Sequence, residues 1–283
     1  MPTPVEALDA LARDNDATIS VWMGDVDGRP WLSREADRVH PAASTMKLAL
    51  VTALLRAVDA GRIELGEELP VRAVLPSMVT GQTYETTPDY DNDELPWERL
   101  GRSASLGWLA ERAIVRSSNL ATNLLLDRVG IDAVNAVYTA AGATTARVER
   151  GIQDEPAMTA GLTNTVTAAD LASVVGALAR RELAGSESCE RIEAILARCE
   201  HADAAAAGLP AGTYFAHKTG WFDGVCHDVG LVRPAGEPEF VLAILTGAPL
   251  DDARAHRLVA DSATICWDHR HDLAAAGAST ESA

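Results

Sequence analysis

A serine and a lysine three residues apart, Ser44 and Lys47, are a pair of side chains that could serve as nucleophile and base. The run that follows, residues 49–58, is mostly apolar and helix-prone, and it predicts a helix that begins near Ser44 and enters a core. Residues three apart on a helix are neighbours. A serine in the first turn has free backbone N–H groups and the positive helix end beside it, which suit a developing oxyanion. A desolvated amine held nearby could accept the serine proton.

Two more polar motifs follow along the chain, Ser117-Ser118-Asn119 and Lys218-Thr219-Gly220. Each motif alone is typical of ordinary structure, because serine often caps a helix and the last motif can simply end a strand. In this order, however, the three motifs resemble those of the penicillin-recognising serine hydrolases, which include the class A β-lactamases and the penicillin-binding proteins. The resemblance extends from about residue 17 to residue 270, and the class A branch fits best.

The resemblance implies a role for each reacting group. Ser44 would be the nucleophile that is acylated, and Lys47 would accept its proton. Ser117 would relay a proton to the leaving nitrogen. The backbone N–H groups of Ser44 and Trp221 would form the oxyanion hole.

The same resemblance implies a set of substrate-binding residues. Asn119 would hold a substrate carbonyl, and Lys218 and Thr219 would offer a cation and a hydroxyl to a substrate carboxylate. Gly220 would let a substrate backbone lie close to the strand edge. His227 stands where class A enzymes often carry an arginine for the same carboxylate. It could bind substrate, cap the pocket or pair with the aspartate that follows it, and the structural role is favoured.

Two further positions depart from the class A pattern. Ser118 stands where these enzymes usually carry an aspartate that acts mainly as structural support. The family supplies its water-activating carboxylate as Glu-Pro with an asparagine three residues after the proline. Here Glu155-Pro156 fits, but Thr159 replaces the asparagine. Glu155 is therefore the candidate base for deacylation, with Asp154, or no acid at all, as the alternatives.

The predicted elements indicate an α/β (α+β) fold of the β-lactamase and transpeptidase type, with an antiparallel sheet flanked by helices and an inserted all-helical lobe. Residues 1–60 and 205–283 are expected to form a discontinuous α/β lobe, and residues 61–204 the helical lobe, with the active site between them. A hairpin is predicted near residues 18–32, and a three-strand meander over residues 213–246. Helical spacing marks several segments: 5–13, 95–115, 121–129, 133–140, 168–183, 189–199 and 252–269.

An irregular stretch, residues 75–94, is a candidate rim of the active site. Within it, Asp89, Asp91 and Asp93 alternate as at the start of a calcium loop, but the sixth position is not glycine, so a solvated acidic turn is predicted instead. Residues from Ala274 onward are small and polar, and are predicted to be disordered.

Composition narrows the range of partners. The chain of 283 residues is 47% hydrophobic, and its net charge of −17 argues against nucleic acid or an anionic membrane as the main partner. The four cysteines lack metal-type spacing and are predicted to be reduced structural thiols. The sequence shows no metal cluster, phosphate-binding glycine loop or flavin motif, so neither a metal nor another cofactor is expected. The beginning of the sequence shows no signal peptide, so a cytoplasmic protein is expected, although the leader of an exported form could have been removed. A monomer is also expected.

Three functions are compatible with these residues. The first is a serine acyl hydrolase of β-lactamase type that opens a lactam or amide through an acyl-enzyme on Ser44. The second uses the same acylation on another substrate, as a non-lactam amidase or esterase, a D-alanyl carboxypeptidase or an acyltransferase. The third is a penicillin-binding module that releases its acyl group slowly. Each would take a small-molecule or peptide amide or lactam as partner.

Overall fold

The computed structural model describes residues 2–279, with side chains as far as residue 277. Short 3-10 helices at Ala43–Thr45, Pro88–Tyr90 and Ala205–Gly208 connect the longer elements. In chain order these are α1 (Pro4–Asp14), β1 (Thr18–Gly24), β2 (Pro30–Arg34), β3 (His40–Pro41), α2 (Met46–Asp59), β4 (Glu68–Pro70), β5 (Val74–Pro76), β6 (Thr83–Glu85), α3 (Glu94–Trp97), β7 (Ser103–Ser105), α4 (Leu106–Val115), α5 (Asn119–Val129), α6 (Ile131–Ala140), α7 (Glu155–Thr159), β8 (Thr165–Val166), α8 (Ala168–Ala179), α9 (Ser186–Leu196), β9 (Tyr214–Phe222), β10 (Val225–Arg233), β11 (Phe240–Gly247), α10 (Asp252–Asp268) and α11 (Arg270–Ser279).

A five-stranded sheet joins the two ends of the chain. Its order is β2-β1-β11-β10-β9, and every neighbouring pair is antiparallel. The predicted hairpin and three-strand meander are thus confirmed. The tight Asp223-Gly224 turn joins β9 to β10 and pairs Phe222 with Val225. Strand β9 lies at one edge of the sheet, where an extended substrate could pair with it.

Helix α2 runs through the larger hydrophobic core, in contact with α4, α5, α6 and α9. Its side chains are buried on nearly every face, including Leu50 and Leu54 at 0% exposure, as expected for a central helix. A second core lies on the other side of the sheet, where α1 and α10 pack. Helix α2 is therefore held on all sides, and the 3-10 turn that leads into it contacts β9 and β10.

Several details differ from the sequence-based predictions. The segment expected to be all-helical also contains two short sheets, β4–β7 and β5–β6. The helix predicted over residues 95–115 is broken into α3 and α4, because Gly101 adopts a φ of +76° in the turn between them. The disorder predicted from Ala274 is wrong as far as Ser279, since α11 continues to that residue, and residues 280–283 lie outside the described part of the chain.

Candidate active site

Ser44 lies at the start of the nucleophile helix, as the sequence predicted. It is the middle residue of the 3-10 turn Ala43–Thr45, which leads without a break into α2. Ser44 is partly exposed, whereas Thr45 and Lys47 are fully buried. Ala43 has a φ of +46°, a left-handed conformation that costs a non-glycine residue roughly 1–3 kcal/mol and that clusters at functional sites.

The Lys47 ammonium group is surrounded by oxygen atoms of the second motif. Its Nζ lies 2.7 Å from the carbonyl oxygen of Ser117, 3.1 Å from the Ser117 Oγ and 2.8 Å from Asn119 Oδ1. Burial lowers the pKa of Lys47 well below its usual range, and the positive charge of Lys218 lowers it further, whereas Asp91 acts in the opposite direction. The neutral amine is therefore accessible at a lower pH than in an exposed lysine.

The Ser117 hydroxyl connects the two lysines. Lys218 Nζ donates to Ser117 Oγ at 3.1 Å, the same distance that separates this oxygen from Lys47 Nζ. Lys218 also donates to the carbonyl oxygen of Thr219 at 2.7 Å, and burial lowers its pKa. Ser117 is fully buried with a φ of +57°, so the loop before α5 holds this hydroxyl in a strained backbone conformation. The three motifs predicted from sequence thus meet at one hydroxyl.

Gly220 lies against the start of the nucleophile helix. A Cβ atom at this position would lie 2.7 Å from the backbone nitrogen of Ser44 and 2.9 Å from that of Thr45. Only glycine therefore allows strand β9 to approach the backbone N–H of Ser44 this closely. The ring of the adjoining Trp221 makes edge-to-face contacts with two imidazoles, with centroid distances of 4.8 Å to His201 and 5.3 Å to His256. This packing fixes the residue whose N–H is the second predicted oxyanion donor.

Thr219 carries an unused polar atom. The residue is 1% exposed, and its Oγ1 has no hydrogen-bond partner among the described residues. A buried hydroxyl without a partner costs free energy unless a ligand or water satisfies it. This hydroxyl lies one residue after Lys218, which is consistent with the predicted pairing of a cation and a hydroxyl on a substrate carboxylate.

His227 is placed beneath the nucleophile segment. It is fully buried, its Nδ1 accepts the backbone N–H of Thr246 at 3.2 Å, and its Nε2 therefore carries the proton that Pro41 O accepts at 2.9 Å. Burial lowers the pKa of His227 to about 4. Both ring nitrogens are thus occupied by backbone atoms. The geometry favours the structural role among the three that the sequence left open, although the partners are backbone groups rather than the aspartate that follows.

Glu155 is exposed, and the hydrogen bonds around Ser117 are made by other residues. It begins α7, while Asp154 before it is fully buried and accepts from Ser77 Oγ at 2.6 Å and from Met78 N at 3.0 Å. Ile152, in the same segment, is hydrogen-bonded to Asn123 of α5. The N–H of Ile152 donates to Asn123 Oδ1, and its C=O accepts from Asn123 Nδ2, both at 2.8 Å. This contact lies one helical turn after Asn119. The role of Glu155 as deacylating base stays a prediction, and Asp154 acts as a helix cap.

Asp91 is a residue that sequence reasoning did not connect with the site. It was predicted to lie in a solvated acidic turn, but its carboxylate binds the backbone N–H groups of Asn119 at 3.0 Å and Leu120 at 2.8 Å. Its neighbour Asp93 is only 3% exposed and pairs with Arg112. The prediction of a solvated turn is therefore wrong, because two of its carboxylates are helix-capping and ion-pairing groups.

Within the described residues, no three His, Cys, Asp or Glu side chains lie close enough together to hold a metal ion. In the same part of the chain, no helix is sufficiently long and apolar to span a membrane.

The chain is similar to known proteins along most of its length. The model of the β-lactamase enzyme family matches residues 3–270. A β-lactamase from Streptomyces fradiae is 30% identical over 269 residues, which cover 91% of this chain and 83% of that protein. Among solved structures, a β-lactamase from Sphaerobacter thermophilus DSM 20745 is 28% identical with a TM-score of 0.80, covering 94% of this chain and 95% of that one. PBP-A is 25% identical with a TM-score of 0.79, covering 95% and 96%.

The fold and these matches define a serine hydrolase that acts on a carbon–nitrogen bond through an acyl-enzyme. The chain belongs to the β-lactamase enzyme family, and the predicted antiparallel sheet flanked by helices is confirmed.

Proposed function

We propose that Ser44 is acylated by a lactam or another amide that carries a carboxylate. Ser44 Oγ attacks the carbonyl carbon of the substrate. The carbonyl oxygen becomes negative and accepts hydrogen bonds from the backbone N–H groups of Ser44 and Trp221. Lys218 and the unpartnered Oγ1 of Thr219 bind the carboxylate. The observation that carries this proposal is the Ser117 hydroxyl, which lies 3.1 Å from the amines of both Lys47 and Lys218.

The proton route follows from the contacts of Lys47. A neutral amine has two N–H groups and one lone pair. The carbonyl oxygen of Ser117 and Asn119 Oδ1 accept only, so they use the two N–H groups and leave the lone pair for a hydroxyl proton. Lys47 takes the proton of Ser44 as the new ester bond forms. Ser117 then gives its proton to the leaving nitrogen as the C–N bond breaks, and Lys47 restores the proton of Ser117.

The first prediction tests this assignment by intact mass. Incubation with benzylpenicillin is expected to add the full mass of the drug to the wild-type chain, because a ring-opened lactam loses no atoms. Ser44→Ala is expected to show no adduct, since it lacks the attacking oxygen. The control is Ser103→Ala, which alters an exposed serine in β7 and should keep the adduct. An adduct that persists in Ser44→Ala would contradict the proposal.

A second candidate function is a slowly released acyl-enzyme. The specific observation is the position of the two acids at the start of α7, since Asp154 caps that helix and Glu155 is exposed. Without a carboxylate to activate water, the ester on Ser44 would outlast the acylation step. An acyl-enzyme with penicillin G has been solved in this fold, for a mutant of PBP-A in which a glutamate replaces a leucine. We infer that acylation is faster than deacylation in this chain.

The second prediction concerns Glu155. Glu155→Ala is expected to leave acylation and deacylation unchanged within about twofold, as for an exposed residue that takes no part in the hydrogen bonds around Ser117. The matched control is Glu94→Ala, because Glu94 is likewise exposed and likewise begins a helix after a capping aspartate. The measurements are burst kinetics with a chromogenic cephalosporin and the lifetime of the mass adduct. An adduct that accumulates in Glu155→Ala but not in Glu94→Ala would establish Glu155 as the base.

We further propose that the protein acts as a cytoplasmic monomer without a nucleic-acid partner. The net charge of −17 disfavours polyanions, and four free cysteines are compatible with a reducing compartment. Size-exclusion chromatography with light scattering, and fractionation of cells of the source organism, would test these points.

A further inference from the structure

The carboxylate of Asp91 is bound by groups from three segments of the chain. Besides the N–H groups of Asn119 and Leu120, it accepts from Ser118 Oγ at 3.2 Å, from Trp97 Nε1 at 2.9 Å and from the backbone N–H of residue 93 at 3.2 Å. Hydrogen bonds to a carboxylate are charge-assisted, and such bonds are about twice as strong as those between neutral groups. The loop is therefore pinned to the start of α5.

The position of this carboxylate has a chemical consequence. Asn119 is the first residue of α5, and its Oδ1 accepts from Lys47, while its Nδ2 donates to the carbonyl oxygen of Tyr90. Asp91 thus holds the backbone of Asn119, and the residue before it in the loop holds the side chain. A negative charge at a helix N-terminus also stabilises the helix dipole.

Ser118 explains why this chain uses a carboxylate from elsewhere. In the class A enzymes that the sequence resembles, the middle residue of this motif is usually an aspartate, and here it is a serine whose Oγ caps α5 through Ala121 N at 3.2 Å. The hydroxyl of Ser118 contacts Asp91 directly. A carboxylate at both positions would place two negative charges side by side, which is unfavourable.

We propose that Asp91 is a positioning residue for acylation, which supplies from the loop the carboxylate that the Ser118 position lacks and thereby holds Asn119 against Lys47. The inference rests on the proposed function of Ser44 and Lys47. It also gives residues 88–91 a definite role, because this loop is attached to the catalytic motif and not only to the rim of the site.

The test is the rate of acylation in full-length variants whose folded fraction is measured by circular dichroism. Asp91→Asn is expected to slow acylation by benzylpenicillin about 10- to 100-fold, because an amide turns an N–H group toward donors that need an acceptor. The matched control is Asp89→Asn, which removes the same charge from an exposed residue two positions away and should acylate at the wild-type rate. Asp93→Asn controls for loosening of the loop, since Asp93 binds Arg112 of α4 and the N–H of Leu95.

Rescue and pH dependence separate positioning from a purely structural role. Ser118→Asp is expected to slow acylation in the wild-type background but to restore most of the rate in Asp91→Asn. The charged groups that act on Lys47 are Lys218 on β9 and Asp91 in the loop. Removal of the Asp91 charge lowers the pKa of Lys47 further, so the rise of acylation with pH should shift to lower pH in Asp91→Asn. The same rise should return toward its wild-type position in the double variant.

The outcomes can be distinguished from failure of the proposed function. If the wild type forms no adduct on Ser44, the proposed function fails, and the positioning role fails with it. If the wild type acylates and Asp91→Asn acylates equally fast per folded molecule, only the positioning role is overturned. It is also overturned if Asp93→Asn slows acylation as much as Asp91→Asn, or if Ser118→Asp fails to improve the Asp91→Asn variant.

Discussion

Lys47→Met is expected to slow acylation by about 10²- to 10⁴-fold while leaving the protein folded, because a positioned general base contributes a factor of this size. Lys47 is 0% exposed, and methionine can occupy the same buried position because its side chain is unbranched, apolar and of similar length. Replacing a buried amine by an apolar group leaves the stability of the fold unchanged or raises it. The same change lowers stability, because Ser117 O and Asn119 Oδ1 lose their hydrogen-bond donor. These opposing effects should keep the free energy of unfolding within about 2 kcal/mol of the wild type.

The control for Lys47 uses an arginine near the other end of the same helix. Arg56→Met removes a cation from the last turn of α2, where the guanidinium donates to the carbonyl oxygen of Ala136, and it should acylate normally. Stopped-flow acylation with a chromogenic cephalosporin and thermal unfolding measure the two effects separately. An equal rate in wild type and Lys47→Met would show that another group accepts the proton of Ser44.

The pH profile of acylation should carry the signature of Lys47. The amine must be neutral to accept a proton, so the rate rises with pH through its pKa and reaches a plateau above it. Burial and the charge of Lys218 both lower this pKa, and the rise should therefore lie below the range of an ordinary lysine. Lys218→Met removes one of the two causes and should move the rise to higher pH. A rise at the pH of an exposed lysine would argue against a lowered pKa in the native site.

The sequence predicted the reacting groups more fully than the loops that position them. The spacing of Ser44 and Lys47 on a helix, and the strand that carries Lys218, follow from local patterns: helical periodicity, alternation and a tight turn. The role of Asp91 was not predicted, because its partners at the start of α5 lie 27 to 29 residues further along the chain. No local sequence pattern indicates which helix a carboxylate will cap. An alternating run of aspartates looks equally like a solvated turn until tertiary contacts bury it.

The segment around Glu155 shows a second limit of the same kind. The Glu-Pro pair predicted a catalytic acid. The contact of this segment with α5, however, is made by the side-chain amide of Asn123, and the sequence near the proline does not determine it. That amide binds both backbone groups of Ile152, three residues before Glu155. The register of an irregular segment on a helix therefore depends on a hydrogen bond that only the folded structure reveals.

Gly220→Ala is expected to reduce acylation by at least about 10²-fold, because loss of one oxyanion donor alone costs a factor of this size. The added methyl group would meet the backbone nitrogen atoms of Ser44 and Thr45, and neither can move without displacing the start of α2 or strand β9. Either displacement separates the backbone N–H groups of Ser44 and Trp221, which we propose as the oxyanion hole. The loss should appear in the acylation rate and not in reversible binding of the substrate carboxylate, for which we propose Lys218 and Thr219 as partners.

Two other glycine substitutions serve as controls that separate an effect on acylation from an effect on stability. Gly66→Ala adds a methyl group to open space and should behave as wild type. Gly208→Ala places its methyl group against the backbone of Ala260 in α10, so it should lower thermal stability without a specific effect on acylation per folded molecule. If Gly220→Ala acylates normally, or if its loss merely parallels its unfolding as in Gly208→Ala, then the close approach of β9 to Ser44 is a packing feature. A large loss in a stable Gly220→Ala protein would instead locate the oxyanion hole between Ser44 and the edge of the sheet.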